Sequence, residues 1–218
     1  MMIYTLNVRG VFPVNCYALI NEQSQHGFLV DPGAQGEDIL AVIHEKHWQI
    51  EKILLTHGHF DHTGAVNFLR QNLDIPILIH ENGKDYLQNT TLNLSACCGE
   101  HILVDDASFV HDGDYIQLAD GSLALKVLHT PGHTPDSVIY YNADGHYALV
   151  GDTIFKGAVG STEYPGGNKT DLAHSLKKIF ALPADTILYS GHSRPALLAQ
   201  EQQRISVSRH KIRHKTST

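Results

Sequence analysis

The chain has 218 residues, 42% of them apolar, enough to bury a full core as one domain or as one domain with a small appendage. Charged residues make up 18%, below the usual share of about a quarter, which excludes a long disordered or charged segment. The formal charge of −7 argues against a general nucleic-acid or anionic-membrane surface.

The first segment reads as strands. Residues 2–8 alternate, Cys16–Ile20 is a short apolar run, and Gly27–Val30 is another that ends in the turn signal Asp31-Pro32-Gly33. Glu37–His47 carries Ile39, Leu40, Val42 and Ile43 at helical spacing. The apolar run Lys52–Leu55 reads as a buried strand, and Ala65–Arg70 reads as a helix. Between them stands Thr56-His57-Gly58-His59-Phe60-Asp61-His62-Thr63-Gly64. Continued to His59, the strand would point His57 and His59 to one side, with Asp61 and His62 on the first helical turn facing the same spot. Ile75–His80 is a further strand, and residues 81–104 are poorly periodic, with a partly helical surface loop over Asn89–Ala96.

Strand patterns return over Tyr115–Leu118 and Leu123–Leu128, then over a hairpin of Ser137–Tyr141 and Tyr147–Val150. Leu172–Phe180 is a helix, with Thr170 or Asp171 as its cap. Thr186–Tyr189 is the last strand, and residues 196–208 form a final helix. The order predicts two packed sheets with helices outside. Residues 209–218, with Arg209, Lys211, Arg213 and Lys215, read as a flexible basic tail.

Three cysteines, Cys16, Cys97 and Cys98, make no disulfide framework and fit a reducing compartment. The chain start lacks a basic region followed by a long apolar run, and no stretch approaches the ~20 apolar residues of a membrane span. The expectation is a cytoplasmic protein with no membrane partner.

Three more strand ends finish in donor residues, each after a glycine: Gly132-His133, Gly151-Asp152 and Gly191-His192. With His57, His59, Asp61 and His62 they make five imidazoles and two carboxylates at one edge. Such donors suit zinc, iron or manganese. Seven exceed the needs of one ion and suggest two divalent ions, zinc first, sharing a bridging carboxylate. His80 also ends a strand and is read as structural, while Asp31 and Thr56 are candidates for fixing imidazole tautomers.

Thr-His-Gly-His-Phe-Asp-His-Thr-Gly, then Thr-Pro-Gly-His-Thr, Gly-Asp-Thr and Ser-Gly-His, in this order, resemble the metallo-β-lactamase superfamily, with the nearer likeness to short, single-domain glyoxalase II-type hydrolases. The resemblance implies an α/β fold, a four-layer αββα sandwich, over residues 1–208. It implies that His57, His59 and His133 hold one metal and Asp61, His62 and His192 the other, with Asp152 bridging, and it leaves His129 off the ligand positions, as a structural residue. The implied activity is hydrolysis of a small acyl thioester such as S-lactoylglutathione. A hydroxide shared by the ions would attack the carbonyl, and Asp61 would orient it or take its proton. The substrate end departs from the family. Glyoxalase II carries a basic residue and then a tyrosine where this chain holds Ser161 and Glu163. Rival readings are a mononuclear iron persulfide dioxygenase, a lactonase or phosphodiesterase, and a non-catalytic scaffold. The expected partner is a small molecule and not nucleic acid.

Overall fold

The computed structural model describes residues 1–215, with side chains described as far as Ser206. The first sheet runs β1 (Met2–Arg9), β2 (Pro13–Ile20), β3 (His26–Val30), β4 (Gln49–Leu54), β5 (Ile77–His80) and β6 (Ser108–Val110), adjacent in chain order. Its first two pairings are antiparallel and the next three parallel. The parallel connections carry α1 (Gly36–Glu45), α2 (Phe60–Thr63), α3 (Val66–Leu73) and α4 (Lys84–Leu87). The second sheet contains β7 (Tyr115–Gln117), β8 (Ala124–His129), β9 (Val138–Asn142) and β10 (Tyr147–Gly151). A short ribbon of β11 (Ile154–Phe155) and β12 (Ala158–Val159) follows, then α5 (Lys169–Phe180). β13 (Ile187–Ser190) pairs parallel to β10, and β14 (Ala196–Leu197) completes the sheet beside it. α6 spans Leu198–Lys215.

Period-2 alternation builds the layers. In β2, Cys16, Ala18 and Ile20 face the core that α1 and α3 cover, while Tyr17 and Leu19 face the core between the sheets. A third core lies on the far side of the second sheet under Leu172, Leu176 and Ile179 of α5 and Leu198 of α6. Helix, sheet, sheet and helix thus stack as four layers, as expected. Among the described residues, no helix is long and apolar enough to cross a membrane.

Several local expectations change. β4 stops at Leu54, so His57 and His59 lie on the loop before α2 and not on a strand. Asp61 and His62 do occupy the first turn of α2. The 89–96 loop is not all surface, since Asn93 and Ser95 are buried and the Asn93 carbonyl accepts the Phe60 N–H at the start of α2. The ribbon β11–β12 and strand β14 are too short to show a period. α6 extends to Lys215, beyond the expected helix end at residue 208. Side chains beyond Ser206 and all of residues 216–218 lie outside the described residues, so the expected flexibility of the basic tail falls there.

The cap of α5 is Asn168, whose side chain accepts from the N–H groups of Thr170 and Asp171. Replacing Asn168 by Ala should therefore cost about 1 kcal/mol in urea denaturation. Thr170→Ala should stay within about 0.5 kcal/mol of wild type; the reverse order would assign the cap to Thr170.

Candidate metal centre

Loops leaving β4, β8, β10 and β13 meet at one edge of the sandwich, and hydrogen bonds tie them across the two sheets. The Leu55 carbonyl accepts the Tyr140 hydroxyl at 2.7 Å, and the Thr56 carbonyl accepts the Val138 N–H at 2.9 Å. The Gly191 N–H reaches the Gly151 carbonyl at 3.0 Å. Asn15 of β2 clamps the turn that carries His192, donating its side-chain N–H groups to the carbonyls of Ser190 and Ser193. The glycines before the donors serve different needs. Gly151 has φ of +47°, and a side chain there would overlap Thr56. Gly191 is needed for space, because a Cβ would press on Asp152 and His62.

All seven expected donors converge. His57 Nε2 and His133 Nε2 each stand 3.1 Å from His59 Nδ1. Nitrogens that share a tetrahedral ion at about 2.0–2.1 Å stand roughly 3.3–3.4 Å apart, so this spacing fits one metal. On the other side, His192 Nε2 lies 3.2 Å from Asp61 Oδ2 and 3.3 Å from Asp152 Oδ2, and His62 Nε2 lies 3.4 Å from Asp152 Oδ1. Asp152 Oδ2 is also 3.8 Å from His133 Nε2, so this carboxylate spans both groups. His62 Nε2 and Asp152 Oδ1 are buried with no hydrogen-bond partner. Orphaned donors of this kind are costly unless a further group completes them, and the set fits divalent metal ions. Three donor groups among the described residues have metal-binding spacing: His57, His59 and His133; His57, His62 and Asp152; Asp61, His62 and His192.

The outward ring nitrogens of four of the five histidines are held by partners that aim the inward lone pairs, whereas His59 Nε2 is buried with no hydrogen-bond partner. His133 Nδ1–H donates to the Ser161 carbonyl and His192 Nδ1–H to the Pro13 carbonyl, both at 2.7 Å. Asp31 accepts the Thr56 N–H and hydroxyl at 2.8 and 2.7 Å and His62 Nδ1–H at 3.0 Å. With its proton on Asp31, the Thr56 hydroxyl accepts from His57 Nδ1–H at 3.1 Å. Asp31 has φ of +52°, a left-handed conformation that Asp tolerates better than most residues. Its turn-forming role and its role at the centre are thus the same feature.

The electrostatics differ across the centre. Burial, then neighbouring imidazoles, push His57 well down and His59 to about 3, and burial lowers His133. These rings are neutral, with lone pairs free to bind. Burial also opposes charge on His62, but the carboxylates of Asp152, Asp31 and Asp61 outweigh it and raise its pKa well above the ordinary value. Burial likewise disfavours charge on His192, yet its hydrogen bonds to Asp152 and Asp61 lift it to about 10. Burial pushes the Asp61 and Asp152 carboxyls up, and the facing imidazoles His62 and His192 hold both below the usual range. Three carboxylates in so small a space call for positive charge.

His80 and His129 stack on each other at 3.9 Å and belong to none of the donor groups, in keeping with structural roles. A cavity of about 700 Å³ opens over the centre, and His59, Asp61, His133, Asp152 and His192 reach its wall. The remaining lining is mostly apolar, led by Phe12, Phe60, Leu94, Phe155, Tyr164 and Pro165. Ser161 lines this cavity, whereas exposed Glu163 pairs with Lys169 at 2.8 Å and does not. Cys97 and Cys98, both free, line it as well. Spacing could not have singled out these wall residues.

Sequence reasoning also missed Asp136, fully buried beneath Gly58 with neither oxygen in a well-formed hydrogen bond. Burial raises its pKa to about 6, outweighing the lowering pull of Thr134 and the nearby backbone. In the sequence Asp136 stands among the polar and turn-forming residues Thr134, Pro135 and Ser137, where nothing marks it as buried.

The metallo-β-lactamase superfamily model matches residues 9–192, and the chain belongs to this superfamily. It is 37% identical over 195 residues to the Bacillus subtilis (strain 168) protein named probable metallo-hydrolase YqgX, covering 88% of this chain and 91% of that one. It is 30% identical over 202 residues to the hydroxyacylglutathione hydrolase GloC of Haemophilus influenzae, covering 88% and 91%. Among solved structures, the BLEG-1 B3 metallo-β-lactamase aligns with a TM-score of 0.87 at 32% identity, over 93% of this chain and 97% of that one. TTHA1623, solved in a di-iron-bound form, aligns with a TM-score of 0.82 at 30% identity, over 92% and 98%. The chain is therefore of the metallo-hydrolase superfamily, with a His/Asp cluster suited to divalent metal.

Two outcomes follow. Asp31→Asn removes the acceptor charge that aims His62 and, through Thr56, His57. It should weaken metal affinity by about 10–100-fold in chelator competition, with the far-ultraviolet dichroism retained; unchanged affinity would deny Asp31 that part. For Asp136, a folded pKa of about 6 above the unfolded value of about 3.9 means that stability is full below the unfolded value and falls as pH rises through 6. The loss is roughly 3 kcal/mol. Asp136→Asn should match wild type near pH 4 and exceed it at pH 7.5 in denaturant titrations. An equal gap at both pH values would contradict the shift.

Proposed function

We propose that the protein is a binuclear metal hydrolase of small acyl thioesters, with S-lactoylglutathione the first candidate substrate. The observation that carries this is the pair of donor groups, one buried and one reaching the surface through His192, joined by Asp152 and open to one cavity. His57, His59 and His133 would hold one ion and Asp61, His62 and His192 the other, with zinc favoured and iron or manganese also suited. The 30% identity to a hydroxyacylglutathione hydrolase supports the thioester reading, and the di-iron form of TTHA1623 supports a two-ion centre.

Bound divalent ions would supply Lewis acidity, lowering the pKa of water and polarising a carbonyl oxygen. The chain does the rest. Asp61 is ionised and reaches the cavity wall, so its carboxylate can orient a water and take its proton. Asp31, Thr56, and the carbonyls of Ser161 and Pro13 keep the rings from turning. The apolar wall of Phe12, Leu94, Phe155 and Tyr164 offers hydrocarbon contact to the acyl group of a substrate. Adding water across the acyl–sulfur bond yields a carboxylic acid and a thiol, so no redox partner is required. The complete Asp61, His62 and His192 group favours this reading over a mononuclear iron dioxygenase.

Metal-loaded protein should contain two ions per chain by elemental analysis and hydrolyse S-lactoylglutathione within a panel of thioesters, lactones and phosphodiesters. Asp152→Ala should lower both metal content and turnover, the latter by about 100-fold or more. Absence of turnover across the panel at full metal content would overturn the assignment. One bound iron with oxygen uptake on glutathione persulfide would replace it with the dioxygenase.

A further inference from the structure

A second depression adjoins the metal centre. It is a groove of about 430 Å³ that shares only Pro13 and His192 with the apolar cavity. The β1–β2 hairpin makes the divide. Arg9 faces the groove and Phe12 the cavity, with Pro13 at the ridge between them. Thr5, Asn7 and Arg9 continue the face of β1 on which Ile3 packs against the core between the sheets. Polar side chains replace apolar ones here because the second sheet no longer covers this end of β1. The opposite wall is Gly191–Pro195, which brings Arg194.

The groove is chemically unlike the cavity. Its lining holds two arginines and no carboxylate, in a chain of formal charge −7. Both guanidiniums are exposed, and neither forms an ion pair with a carboxylate among the described residues. The ridge is rigid, since His192 Nδ1–H donates to the Pro13 carbonyl and the Asn15 side chain and backbone hold Ser190, Gly191 and Ser193. A group held in the groove therefore sits at a set distance from the imidazole that faces Asp61 and Asp152.

From this juxtaposition we infer that Arg9 and Arg194 form an anion subsite, so that the substrate is an acyl thioester whose thiol portion carries a carboxylate or phosphate. The acyl group lies in the apolar cavity, the scissile carbonyl lies at the centre beside His192, and the anionic end crosses the Pro13 ridge into the groove. Planar guanidiniums match the paired oxygens of either anion. The subsite supplies from the β1–β2 hairpin and the β13–β14 turn the cation that Ser161 and Glu163 do not. The inference rests on the thioesterase reading, and binding and turnover separate the two.

Isothermal titration of the metal-loaded protein with three non-hydrolysable thioethers tests it: S-hexylglutathione, S-hexyl-coenzyme A and neutral S-hexyl-N-acetylcysteamine. At least one anionic compound should bind about tenfold or more tightly than the neutral one, by a margin that shrinks in high salt. Preference for the first anion identifies a carboxylate-bearing thiol and for the second a phosphate-bearing one. The double variant Arg9→Gln, Arg194→Gln should abolish the margin, Arg194→Lys should keep part of it, and Lys126→Gln on β8 should keep all of it. Equal binding of the three compounds, or a margin that survives the double variant, would overturn the subsite. Turnover of neutral thioesters without anionic preference would sink the subsite and leave the hydrolase standing. Anionic preference in binding with no turnover of any thioester would do the reverse.

Discussion

One buried carboxylate organises this centre. Asp31 accepts three hydrogen bonds, from the Thr56 N–H, the Thr56 hydroxyl and His62 Nδ1–H, and through that hydroxyl it directs His57. A charge at 2% exposure is tolerated only because each of its oxygens is satisfied. The arrangement depends in turn on the left-handed turn at the end of β3, which folds the side chain back towards the loop after β4. If either partner moved, two imidazoles would lose their orientation together.

The remaining donors are set by the other sheet. β10 and β13 run parallel, so their ends deliver Asp152 and His192 side by side, and the loop after β8 brings His133 against His59. The fold thereby divides the centre into a neutral, imidazole-rich half and a half where carboxylates and imidazoles share charge. The same division continues outward. The apolar cavity and the arginine-bearing groove meet at Pro13 and His192, so the surface around the centre offers one side to a hydrocarbon and the other to an anion.

Much of this was legible in residue order, and the reasons are local. The identities of the seven donors, and their position after apolar runs, follow from side-chain chemistry and from the turn-forming residues beside them. Of the glycines beside the donors, Gly132 and Gly151 take positive φ, a bend that a local pattern can mark, whereas Gly58, Gly64 and Gly191 are small because of what packs against them. Alternation in β1, the apolar run of β2 and helical spacing in α1 and α5 were equally plain. Less was visible where the cause is a partner elsewhere. The Asn168 cap lost out to Thr170 and Asp171, which stand closer to the apolar stripe. Asn93 and Ser95 looked like surface until the loop was seen to anchor α2.

By itself, then, the amino-acid sequence determined which side chains could bind metal and that the chain alternates sheets and helices, because composition, period and turn chemistry act over a few residues. Tertiary structure alone decided how closely those donors approach one another, which carbonyls aim them and what walls face the substrate. His133 meets His59 across 74 positions and His192 meets Pro13 across 179, and Asp136 and Arg9 acquire meaning only from what packs, or fails to pack, beside them. Contacts over such separations arise from the packing of two sheets, which no local pattern encodes.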